Sequence, residues 1–189
     1  MLFRSLSAFA FVNTNTATGA ALLGWLLVEK IRDGHATTLG AASGAVAGLV
    51  AITPACGFVS PMGSLAVGFI AGVICALAVG LKNKFKFDDA LDVVGVHLVG
   101  GVVGALLIGL FATKLTNSAG ANGLFYKGGW TLLEHQAIAV LAVVSYSFIV
   151  TYILGKIIDK TVGLRINEEA EFAGLDLSQH GETAYETAN

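Results

Sequence analysis

The polarity of this chain changes in long waves. Five stretches of nearly unbroken apolar residues, about 6–29, 37–56, 62–81, 89–113 and 132–159, are separated by short polar or charged connections. Each reaches the roughly 20 residues that a helix needs to cross the hydrocarbon of a bilayer. The strands of a β-barrel would instead alternate polar and apolar positions over about ten residues. The pattern predicts an all-α polytopic membrane protein, with about five transmembrane helices over residues 1–160 and a polar tail over 161–189.

The connections and small residues refine this outline. Glu29-Lys30-Ile31-Arg32-Asp33-Gly34-His35 reads as a charged hairpin at one membrane face, with His35 a solvated loop residue. In the second stretch Gly40, Gly44 and Gly48 fall on one helical stripe, where another backbone can approach closely. Pro54 lacks a backbone donor and crowds the turn before it, so this stretch ends or kinks around Thr53-Pro54-Ala55-Cys56-Gly57. The third stretch carries Gly68 and Gly72 and leads into the basic run Lys82-Asn83-Lys84-Phe85-Lys86. Residues 115–130 are rich in Gly, Asn and Ser and read as an exposed loop, with Tyr126 and Trp130 as interfacial aromatics. Glu134, His135 and Gln136 open the fifth stretch at an interfacial position.

The fourth stretch holds the residue that most needs an explanation. Asp88, Asp89 and Asp92 stand in its first turns, where carboxylates satisfy free N–H groups and the positive end of the helix dipole. His97 follows inside the apolar run. An ionisable side chain at bilayer depth either faces a bundle interior or a wet path, or is a buried histidine satisfied by a helix-packing hydrogen bond. Hydropathy leaves both readings open.

Composition narrows the class. The chain is 55% hydrophobic and 13% charged, and its mean hydropathy is +0.76, against about 25% charged residues in soluble domains. A net charge of −2, with Lys and Arg at the ends of the apolar stretches, gives no basic patch for nucleic acid. Cys56 and Cys75 form no CxxC pair and have no ligand-spaced His or carboxylate, so neither a disulfide framework nor a metal site is expected. With no nucleophile, phosphate loop or metal constellation, no enzyme and no cofactor is expected. Residues 6–12 resemble the apolar part of a signal peptide, but the apolar pattern resumes through Ala20-Ala21-Leu22-Leu23 and reaches spanning length. Lys30, Arg32, Lys82, Lys84, Lys86, Lys156, Lys160 and Arg165 fall on one side of five alternating spans, against Arg4, Lys114 and Lys127 on the other. The excess of cations marks the cytosolic side, putting the N-terminus outside and the tail inside.

Five motifs in order then resemble the ammonium transporter family, which includes methylammonium permeases and Rhesus glycoproteins. They are Phe11-Val12-Asn13-Thr14; residues 39–50 running on through Thr53-Pro54-Ala55-Cys56-Gly57; Asp88-Asp89 to His97; Gly163-Leu164-Arg165; and Gly174-Leu175-Asp176 to His180-Gly181-Glu182-Thr183-Ala184-Tyr185. The resemblance covers nearly the whole chain but matches helices seven to eleven, with the tail, of an eleven-helix family fold built as two inverted halves. Val94 and Leu98, beside the histidine, depart from the phenylalanine and glycine of many members, and Tyr146-Ser147 replaces a tryptophan-serine pair.

The resemblance implies a channel or transporter for ammonium, ammonia or methylammonium in the plasma (inner) membrane. His97 is then the second of two facing pore histidines, with Asp89, Asp92 and Thr53 as pore or helix-end support. Gly163, Arg165, Gly174, Asp176, His180, Gly181, Glu182 and Tyr185 belong to a cytosolic regulatory tail. Expected partners are the lipid bilayer, a homotrimer or mixed trimer with full-length subunits, and a PII-type signalling protein. Half of an inverted repeat lacks the other wall of the pathway, so the chain alone is expected not to conduct. The alternative is a non-transporting interaction or regulatory subunit that joins full-length transporters.

Overall fold

The computed structural model describes residues 2–183. Its helices are α1 (Leu2–Arg32), α2 (Thr38–Ile52), α3 (Pro61–Ala78), the short α4 (Leu81–Phe85), α5 (Val99–Phe111), α6 (Thr131–Thr161) and α7 (Glu168–Ala173). A π-helical turn, Val94–Leu98, runs directly into α5, and a second one occupies Asp176–His180. Extended pairing among the described residues is confined to one bridge, Val59 with Ala112. The chain divides after Leu141 into two units, residues 1–141 and 142–189.

The apolar stretches do form helices, and among the described residues three helical segments are long and apolar enough to cross a membrane: Pro61–Phe85, Val94–Phe111 and Thr131–Thr161. Thr38–Ile52 is apolar but shorter, at 15 residues. It stops before the expected residue 56 because Pro54 has no N–H to continue the ladder. The chain instead closes in turns, with Cys56 N donating to Ile52 O at 2.7 Å and Val59 N to Ala55 O at 3.1 Å. Thr37 and Ser60 cap the starts of α2 and α3, each accepting a backbone N–H three residues on.

Helix α1 carries a polar band that would be costly in lipid if unsatisfied. Its side chains bond back to their own helix: Thr14 Oγ1 to Ala10 O at 2.7 Å, Asn15 Nδ2 to Phe11 O at 2.9 Å, Thr16 Oγ1 to Val12 O at 2.7 Å and Thr18 Oγ1 to Thr14 O at 2.7 Å. Asn13 is fully buried and turns the other way, donating to Cys56 O and Val59 O, both at 2.8 Å. It thereby ties α1 to the turn after α2.

The first unit packs backbone against backbone. A Cβ on Gly44 would meet Trp25 Cβ at 2.7 Å, and one on Gly48 would meet Ala21 Cβ at 2.7 Å, so the α2 stripe faces α1. Gly68 and Gly72 of α3 lie directly on the Ala17 and Ala21 backbone, and Gly104 of α5 lies on that of Ala51. Ala17, Ala51, Ile52, Val59, Val67, Ala71, Leu107 and Ile108 fill the space between these crossings. Glu29, which opens the charged hairpin, is only 8% exposed. Its carboxylate accepts Trp25 Nε1 at 3.2 Å and Thr37 N at 2.8 Å.

Candidate functional site

The turn around His97 is built from its N-terminal side. The π-helical turn begins at Val94, later than the expected residue 89, because the chain turns over residues 90–91 and Asp92 takes a left-handed conformation. Asp89 caps the helix from outside it: Oδ1 accepts Val93 N at 2.7 Å and Oδ2 accepts Val94 N at 2.9 Å. One carboxylate thus covers two of the donors that a helix start leaves without intrahelical partners. Asp92 takes a left-handed conformation, φ 56°, and its carbonyl accepts Val96 N at 2.8 Å. Lys82 Nζ lies 2.7 Å from Asp92 Oδ1 and donates to Asp89 O at 3.1 Å. The contact with Asp92 is an ion pair by distance and lacks the alignment of a hydrogen bond.

From this start the backbone runs as a π-helix over Val94–Leu98, and Val99 N reaches back to the carbonyls of Val94 and Val96. Such single turns recur at functional sites, because the extra residue disturbs the ladder and redirects side chains. One side of the turn is packed: Gly95 and Val96 are buried, and a Cβ on Gly95 would meet Val79 Cα at 2.9 Å. Cys75 Sγ stands 3.9 Å from Val96 O. His97 and Leu98 point out of the other side and are exposed, and among the described residues no group hydrogen-bonds the imidazole. An exposed imidazole on a packed turn can donate or accept a proton toward whatever lies on that face.

Thr53 is not brought to His97. It ends α2, with Oγ1 donating to Leu49 O at 2.6 Å. It follows the Ala51–Gly104 crossing, whereas His97 precedes Gly104 by seven residues, so the two stand at different heights. Among the described residues no three His, Cys, Asp or Glu side chains gather as metal ligands.

In the second unit the three tail glycines share a property. Gly163, Gly174 and Gly181 have φ of 89°, 91° and 67°, a region that side chains disfavour. Gly163 N donates to Ile158 O at 3.0 Å and closes α6, while Gly174 and Gly181 end α7 and the following π-helical turn. Arg165 pairs with Glu171 at 3.0 Å. Asp176 O accepts Glu182 N at 3.1 Å, and His180 lies on the exposed last turn. Tyr185 lies outside the described residues.

Sequence reasoning did not single out Lys82, Glu29 or the clamp made by Asn13. Lys82 was readable only as part of a basic loop, and the bonds of Asn13 reach 43 and 46 residues along the chain.

Residues 3–185 match the model of the Ammonium Transporter Family. The chain is 58% identical over 183 residues to an ammonium transporter of Mycobacterium tuberculosis (strain ATCC 25618 / H37Rv), covering 94% of this chain and 38% of the relative. It is 52% identical over 179 residues to an ammonium transporter of Bacillus subtilis (strain 168), covering 94% and 44%. Among solved structures, that of Candida albicans Mep2 superposes with a TM-score of 0.80 at 37% identity, covering 87% of this chain and 37% of that one. The chain therefore spans about two-fifths of the length of these proteins.

Proposed function

The chain belongs to the Ammonium Transporter Family, and from that premise we propose that it forms one wall of a transmembrane pathway for ammonium, ammonia or methylammonium, with His97 lining it. The observation that carries this reading is the exposed imidazole, without a hydrogen-bond partner among the described residues, on the open side of a turn whose other side is packed. Neutral imidazole offers a donor and an acceptor to a small amine, and a proton released by an ammonium ion can be held there. The apolar neighbours Val94 and Leu98 keep the path unfavourable to a bare ion, whose desolvation is expensive.

Asp89 and Asp92 support this wall through the backbone, and Thr53 closes a helix end. Alternating spans and the cations at their ends support an N-terminus outside and a cytosolic tail. The tail, 161–189, is a regulatory segment, and the assembly is a homotrimer or a mixed trimer with full-length subunits. A PII-type protein docks at the cytosolic face. One wall by itself does not conduct.

Uptake of labelled methylammonium by cells producing the complete transporter that contains this chain tests the central claim. His97→Ala lowers the flux at least about tenfold and changes its pH dependence. Unchanged flux with an unchanged pH profile overturns the pathway role. Co-purification with full-length subunits and no uptake from the chain alone supports the assembly, whereas a monomer in native mass spectrometry overturns it.

A further inference from the structure

Lys82 stands where two irregular pieces of backbone meet. It lies in α4, directly after α3, and its ammonium touches both residues that govern the start of the His97 turn: Asp92 through the side chain, at 2.7 Å, and Asp89 through the carbonyl, at 3.1 Å. These two residues act by separate means. The Asp89 carboxylate holds the amides of Val93 and Val94, while Asp92 swings the chain through a φ of 56° and offers its carbonyl to Val96. A left-handed residue other than glycine persists only where its surroundings hold it. The Lys82 cation lies against the Asp92 carboxylate at 2.7 Å, and Asp92 N donates to Asp89 O at 3.3 Å, so both groups bear on that conformation. The side chains of the pair are 27% and 31% exposed, so water screens them only in part.

The neighbouring lysine behaves differently. Lys84 Nζ sits 5.9 Å from the Phe85 ring centre, an arrangement that touches nothing in the His97 turn. A π-helical turn holds an extra residue, so moving it by one position along the chain carries a residue across the bulge and changes the direction in which its side chain leaves the axis, on the order of the 100° step of a regular helix. Whatever fixes the first residue of the turn fixes the direction in which the imidazole leaves it.

We propose that Lys82 is a positioning residue for His97: by holding Asp92 and the carbonyl of Asp89 it sets the register of the π-helical turn, and so aims the imidazole. The functional meaning rests on the reading of His97 as a pathway residue, but the geometry is testable without it.

The test uses histidine-labelled protein in lipid nanodiscs, with the ring ¹³C and ¹⁵N signals of His97 compared with those of His35, His135 and His180. Lys82→Met displaces or splits the His97 signals and speeds amide exchange at Val93, Val94 and Val96 about tenfold, leaving the other three histidines as they were. Lys82→Arg restores both readouts. Asp92→Asn reproduces part of the change, and the double variant is no worse than Lys82→Met, because Lys82→Met already removes the contact with Asp92. An unmoved His97 in Lys82→Met, or additive effects in the double variant, overturns the proposal. Should Lys82→Met fail to fold, Lys82→Gln decides, and wild-type His97 signals in it overturn the proposal. Methylammonium uptake by the same variants separates the two readings. Displaced His97 signals with full uptake sustain the positioning and count against the pathway, whereas lost uptake with unmoved signals overturns the positioning.

Discussion

The α1–α3 contact and the junction beneath His97 join helices by opposite means. Between α1 and α3, Gly68 and Gly72 lie on the backbone of Ala17 and Ala21, with no side chain between the two helices at those points. At the junction the backbone is irregular, and charged side chains hold it: Asp89 on two amides, Lys82 on Asp92 and on a carbonyl. A regular helix satisfies its own polar groups, so helices in lipid associate through shape, which small residues provide. A broken helix exposes donors and acceptors that lipid cannot satisfy, and polar side chains must then be brought in. The functional candidate sits at the second kind of contact, on a π-helical turn of the sort that recurs at functional sites.

The largest effect expected from breaking this comparison is at the first contact. Gly72→Val forces α1 and α3 apart and costs about 3 kcal/mol or more, since overpacking a close-packed site displaces backbone. A lowered unfolding midpoint in nanodiscs checks it, and an unchanged midpoint shows that the backbones do not touch. Asn13→Leu leaves Cys56 O and Val59 O without their donor, for about 2 kcal/mol. That variant tests whether one buried polar clamp weighs as much as the apolar crossings around it. Asp89→Ala removes a two-amide cap and costs about 1 kcal/mol, seen as faster exchange at Val93 and Val94 with little change at the glycine crossings. Equal changes at both places would mean that the two kinds of contact do not differ.

Two exposed ion pairs set the lower end of the scale. Arg165→Ala removes the pair with Glu171, whose side chains are 74% and 49% exposed, and shifts stability by less than about 1 kcal/mol. At the end of α1 the Arg32 guanidinium bonds both Asp33 carboxylate oxygens, and holds this carboxyl below its usual range. A depressed carboxyl contributes stability above the unfolded value of about 3.9, and loses it as pH falls through the lower folded one. Arg32→Met moves the Asp33 titration back up toward the ordinary range, which NMR of its carboxyl carbon reads directly. No movement would mean that the pair is not maintained in solution.

Much of this could be read along the chain wherever cause and effect are close together. The apolar stretches became helices, Pro54 ended α2, and Asp89 could be read as a cap because Val93 and Val94 are four and five residues away. Gly163, Gly174 and Gly181 stand out in the tail for a local reason as well, their positive φ. Glu29 could not be read this way. A charged hairpin and a carboxylate buried over the start of α2 have the same local sequence, and only the arrival of Thr37 and the position of Trp25 distinguish them.

By itself the sequence determined the all-helical membrane class and the family, because hydropathy, proline, glycine and order of motifs are properties of neighbouring residues. Which face of the Gly40–Gly44–Gly48 stripe meets α1, which carbonyls Asn13 clamps, and that Lys82 rather than Lys84 reaches Asp92 were decided only by the tertiary structure. Each depends on two segments meeting in space, and a side chain with several possible partners has no preference until folding supplies one. His97 belongs to both accounts. Its place in the chain marked it, and its setting on a π-helical turn packed against Val79, with Lys82 beside Asp92 at the start, is visible only in the tertiary structure.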